Sequence, residues 1–167
     1  MTEQLFHAVD GVRFLYSRLG LVLRAPGVYS NGRGALSCED LETGAPYAVL
    51  TVNLPDTELA PDELLVRTGN GAKTDITEVR AEVLRTGLFE PAVRFVDSGF
   101  VQDYAVVWRF KRCAHGPYVA LCSSCLAEID KRYEDAIERM LASAAAKRLG
   151  EGVFVAGPHD PGDQEIT

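Results

Sequence analysis

Through its first 110 residues the chain swaps apolar for polar positions at short intervals, a strand-like rhythm. Arg13 to Tyr16 and Leu21 to Arg24 read as short strands separated by Gly20. Pro26-Gly27, Asn31-Gly32 and Thr43-Gly44 are turn dipeptides, and Gly34 to Cys38 lies between two of them. Tyr47 to Leu54 is the strongest strand signal, because Tyr47, Val49, Thr51 and Asn53 alternate with Ala48, Leu50, Val52 and Leu54. Pro55-Asp56 ends it, and Glu63 to Arg67 makes another. After Pro91, Val93 to Val96 and Phe100 to Phe110 return to strand character. Tight turns between neighbouring runs predict an antiparallel meander rather than parallel strands with helical crossovers.

Two stretches follow a helical period instead. Asp75 with Glu78 fits an Asp variant of the capping box, Val79, Val83 and Leu84 supply an apolar face, and Gly87 suits the C-cap. The second stretch, about Ser124 to Arg148, places Leu126, Ile129, Tyr133, Ile137, Met140 and Ala144 on one stripe. Its acids come early and its bases late, which suits the helix dipole. That stripe has two outlets, its own sheet or a second copy, so a homodimer is compatible with it. The pattern predicts an α+β fold, mainly antiparallel sheet with one short helix, a zinc-knuckle-like loop and a long C-terminal helix. Its parts are a β-rich domain over 1–112 with an inserted helix 75–86, the loop and long helix over 113–150, and a disordered acidic tail over 151–167.

Composition changes this picture in one respect. The 167 residues include 24 acids and 17 bases, a net charge of −7 that argues against a generic nucleic-acid binder and against an anionic membrane surface. The charge is local. Residues 39–63 alone carry −7 and residues 151–167 carry −4, while residues 105–150 carry +3. Four cysteines are too sparse for a disulfide scaffold. The first residues lack the basic and apolar regions of a secretory signal, and no run is long and apolar enough to span a bilayer. The expectation is a cytoplasmic protein, where clustered cysteines mean metal more often than disulfide.

Three of the four cysteines fall together. Residues 113 to 125 contain Cys113, His115, Cys122 and Cys125 in a C-x-H…C-x-x-C arrangement. At strand geometry Cys113 and His115 share a side, Gly116-Pro117 can turn the chain, and the C-x-x-C pair sits where the long helix starts. Three sulfurs and one imidazole complete a tetrahedral structural Zn²⁺ site. Incidental buried cysteines, a redox dithiol and a catalytic zinc are the alternatives. A zinc deaminase would need a Glu two residues beyond the His and a Pro before the C-x-x-C, where this chain has Pro117 and Leu121. Cys38 reads as a buried strand residue, His7 and His159 as surface residues, and Ser123 and Ser124 as helix caps.

The stretch Asn31-Gly32-Arg33 … Gly44-Ala45-Pro46-Tyr47 … Leu50-Thr51-Val52-Asn53-Leu54-Pro55 resembles an uncharacterised bacterial domain family with an NGR…G-x-PY…LTVNLP core. That family is common on phages, plasmids and conjugative elements. The resemblance covers about half the chain, extends more loosely through Ser98-Gly99-Phe100-Val101, and brings no catalytic residue with it. It implies an accessory protein of a mobile element. The expected function is therefore non-enzymatic: protein–protein binding that inhibits a host defence or nucleic-acid-handling complex, as anti-CRISPR proteins do. Its partner would be a host protein or ribonucleoprotein, met by Glu39, Asp40, Glu42, Asp56, Glu58, Asp62 and Glu63. The alternative is a zinc-containing nucleic-acid-binding regulator using Arg109, Lys111, Arg112, Lys131 and Arg132 beside Trp108 and Phe110.

Overall fold

The computed structural model describes residues 2–68, 76–91, 94–97 and 104–151. It is an α+β fold of antiparallel sheets and helices. A first sheet is a meander in the order β1-β2-β3-β4, built from β1 (Arg13–Tyr16), β2 (Leu19–Val28), β3 (Gly34–Asp40) and β4 (Pro46–Val49). A second sheet centres on β8 (Tyr104–Phe110). It is flanked by β5 (Glu63–Arg67) on one side and by β6 (Phe89–Glu90) and β7 (Phe95–Asp97) on the other. The helices are α1 (Thr2–Val9), α2 (Ile76–Arg85) and α3 (Ser123–Glu151).

Several boundaries differ from the sequence expectation, each for a local reason. The β1–β2 hairpin turns at Ser17-Arg18, with Ser17 at φ 58°, and Gly20 lies inside β2 opposite Leu15. A side chain at Gly20 would meet the Tyr133 hydroxyl of α3 at 2.8 Å, so glycine serves close approach there rather than a turn. Pro26-Gly27 is likewise a bulge within β2, not a turn. There the Ala25 N–H donates to the Asp10 carboxylate at 2.9 Å instead of to the ladder.

The strand expected over Tyr47 to Leu54 stops at Val49 because the chain changes partner. Leu50 and Thr51 donate their N–H groups to Leu36 of β3, while Val52 donates to Leu65 and Leu50 accepts from Arg67, both in β5. A single bridge, Thr51 to Val66, thus joins the two sheets. The Thr51 hydroxyl accepts from the Leu36 N–H at 2.9 Å and lies 3.0 Å from the Tyr29 hydroxyl, so it is buried but satisfied. Asn31 donates to the Asn53 side chain at 2.8 Å, and the Arg33 guanidinium donates to the carbonyls of Leu54, Pro55 and Thr57. The NGR turn is therefore a clasp on the segment that crosses between sheets.

The core lies between the sheets and their helices. Val106, Trp108 and Phe110 point into it from β8, joined by Leu21, Leu23 and Leu36 from the first sheet and Val79 and Val83 from α2. Tyr118, Val119, Ala120 and Ile129 from the segment after β8 enter the same cluster. The unanticipated α1 covers one side with Leu5, Phe6 and Val9, and Phe6 packs edge-on against Phe110 at 5.4 Å. Gly87 ends α2 at φ 83°, as a C-cap glycine should. The capping residue Asp75, the tail and His159 lie outside the described residues.

Candidate metal centre

The end of β8 delivers the chain to the site. The Phe110 N–H is held by the Asp62 carbonyl and the Lys111 N–H by the Leu88 carbonyl, so Cys113 emerges from a fixed point. Residues 113–118 loop out and return, and the Val119 N–H closes on the Lys111 carbonyl at 2.9 Å. A short 3₁₀ turn, Val119–Leu121, then leads into Cys122 and α3. Its first two residues are buried in the core, which anchors the return arm.

Tyr118 buttresses the loop from below. Its hydroxyl donates to the buried Asp62 at 3.1 Å, and the Arg112 guanidinium lies 4.5 Å over its ring and 3.7 Å from the same carboxylate. Burial first, and then the bond to Asp62, push the Tyr118 hydroxyl above its usual pKa of 10.0. The sequence had suggested Asp62 as a partner-facing acid; it instead supports this loop.

Cys122 occupies the capping position of α3. Its carbonyl accepts the Leu126 N–H at 2.9 Å, the first bond of the helix. Its sulfur accepts the backbone N–H groups of Cys125 and Ser124, the donors that a helix start leaves free. The Cys125 N–H is the largest influence bringing the Cys122 thiol down from 9.0 to about 7. Cys125 moves the other way, because its hydrogen bonding with the sulfurs of Cys113 and Cys122 holds its proton on the thiol. The cap is thus Cys122 itself, and Ser123 and Ser124, expected as caps, sit exposed in the first turn.

The four candidate ligands converge. One donor atom from each of Cys113, His115, Cys122 and Cys125 lies within 4.8 Å of every other. The Cys113 and Cys125 sulfurs are 3.3 Å apart, and the Cys113 sulfur is 3.8 Å from His115 Nδ1. A tetrahedron with metal–sulfur bonds of about 2.3 Å and a metal–nitrogen bond of about 2.0 Å has edges of roughly 3.5–3.8 Å. The Cys113–Cys125 and Cys113–His115 separations are close to that size, and separations of up to 4.8 Å elsewhere in the group would close by about 1 Å around an ion. The His115 backbone N–H also points at the Cys113 sulfur at 3.3 Å. All four cysteines are free thiols, and this group can hold a metal ion. Cys38 takes no part: it is buried in β3, and burial pushes its thiol up to about 11.

The other sequence candidates are dispersed. Glu39 pairs with Arg24 at 2.8 Å, and Asp40 accepts the backbone N–H groups of Glu42 and Thr43 in their turn. Glu63 is 8% exposed and binds Arg94 and Arg109, each at 2.8 Å. Glu42, Asp56 and Glu58 have exposed side chains. Of the basic set, Arg109 and Arg112 face Glu63 and Asp62, and Arg132 donates to the Thr86 carbonyl. Trp108 and Phe110 are buried, so neither offers an aromatic surface beside the basic residues. His7 is exposed on α1, as expected, and no described helix is long and apolar enough to cross a membrane. No protein-family model matches this chain, and no curated protein or solved structure matches it.

Proposed function

We propose that Cys113, His115, Cys122 and Cys125 hold a structural Zn²⁺ that fastens the foot of α3 to the end of β8. The observation that carries this reading is the mutual approach of four soft and borderline donors to within 4.8 Å. Three sulfurs and an imidazole are a donor set that suits tetrahedral zinc, and four protein ligands leave no position for water or substrate. The ion would keep the thiols deprotonated and hold together charges that otherwise repel. Purified protein should carry about one equivalent of zinc. Less than about half an equivalent, or undiminished zinc in Cys122→Ser, contradicts a closed Cys₃His site.

With the metal in that role, the protein acts by binding rather than by catalysis. The resemblance to the mobile-element family supports an accessory protein whose partner is a host protein or ribonucleoprotein, with inhibition of a defence complex as the effect. Affinity purification from the host followed by mass spectrometry tests this, and an empty eluate counts against it.

A further inference from the structure

The stripe that places α3 on the core ends halfway along the helix. Ile129 and Tyr133 are buried, but from Leu141 to Arg148 every side chain is exposed. The helix nevertheless runs to Glu151. Ala136, Ile137 and Met140 are half-buried and Glu134 is held by Arg13, so the part that stands clear is residues 141–151, about 16 Å long at roughly 1.5 Å per residue. A helix standing alone over so few turns is marginal in water.

The projecting end has an apolar face that runs back to the half-buried Ile137. Leu141 is 60% exposed. At about 100° per residue, Ile137, Ala144 and Ala145 fall within roughly 60° of Leu141, whereas Tyr133, which seats the helix on the core, lies about 80° away. Charge on the Leu141 face is sorted along the axis. Exposed Glu134 and Glu138 lie toward the foot, and exposed Arg148 lies toward the tip.

We propose that this face binds a second copy of the same chain, antiparallel, about a two-fold axis at Leu141. That axis sets Leu141 against Leu141, Ile137 against Ala145, and Arg148 against Glu134 with Glu138 one turn away. Every contact occurs twice, as a two-fold interface requires. A parallel pair would instead stack acid on acid and base on base. Alanines at 144 and 145 let the helices approach closely, and Glu134 keeps its 2.8 Å bond to Arg13 while meeting Arg148 of the other copy. The face lies beyond the metal centre and uses none of its ligands, so it stands apart from the zinc reading.

Sedimentation velocity on the full chain tests this. Wild type should be a concentration-dependent dimer at about 10–200 µM. Arg148→Glu should weaken it about tenfold or more, since two symmetric contacts turn repulsive. Combining Arg148→Glu with Glu138→Arg should recover part of the lost affinity, since the new arginine then faces the new glutamate from one turn away while Glu134 still opposes it. Far-UV circular dichroism and melting temperature should stay unchanged throughout, because these residues touch only solvent within one chain. A wild-type monomer at about 200 µM overturns the proposal. A dimer indifferent to Arg148→Glu overturns it equally, since a parallel pair or another surface behaves that way.

Discussion

At the scale of single residues, two buried acids do the most to tie the second sheet to its surroundings. Asp62 receives Tyr118, and Glu63 gathers the Ala60 N–H, Arg94 and Arg109. Burial raises the Glu63 pKa, but the Ala60 N–H and the two guanidiniums outweigh it and leave the carboxyl below its usual 4.5. A depressed carboxyl stabilises the fold above its unfolded pKa and loses that contribution as pH falls through its folded pKa. Glu63→Gln should therefore cost about 1.5–3 kcal/mol near neutral pH, the range for bonds to charged groups. Urea unfolding at about pH 7 and about pH 3 should show the gap between variant and wild type closing in acid.

At the scale of elements, glycines mark where helices touch sheets. Gly34 opens β3 beneath α1, where an added Cβ would lie 2.4 Å from the ring of Phe6. The ring is buried and also packs against Phe110, 5.4 Å between centroids. Gly34→Ala should cost about 1–3 kcal/mol, as overpacking of a filled core does. Thermal melts should show Gly34→Ala costing much less in a Phe6→Ala background than in wild type, since the clash needs both side chains. The helix α1 was legible in retrospect. Leu5, Phe6 and Val9 repeat at helical spacing, but a single turn of pattern near the start of a chain is too short to stand out. The opposite error arose at Tyr47 to Leu54, where alternation correctly predicts extended backbone but cannot say that the strand's partner changes at Leu50.

At the scale of the whole molecule, net charge proves a poor guide to surface. Residues 39–63 hold seven acids, yet Glu39, Asp40, Asp62 and Glu63 are spent on internal partners. Three remain with exposed side chains: Glu42, Asp56 and Glu58. If acidic loops capture the partner, these three carry the effect, and reversing them to Lys together should abolish capture in a pull-down from the host. Reversing the other four would unfold supports rather than remove a surface. Unchanged capture with the triple reversal would remove the acidic loops from the account.

The sequence by itself determined most of the elements, though not α1, and the candidate ligand set. Strand alternation, turn dipeptides and the heptad-like stripe depend on near neighbours, and a C-x-H…C-x-x-C run within 13 residues brings its donors together by local turns and a helix start. Only the tertiary structure decided which charges face solvent, that Thr51 bridges two sheets, that Tyr118 and Asp62 hold the loop carrying Cys113 and His115, and that α3 beyond Met140 stands clear of the core. Those facts depend on residues 15 to 117 positions apart, such as Arg24 with Glu39 and Arg13 with Asp130, and one-dimensional periodicity does not encode which distant partners meet.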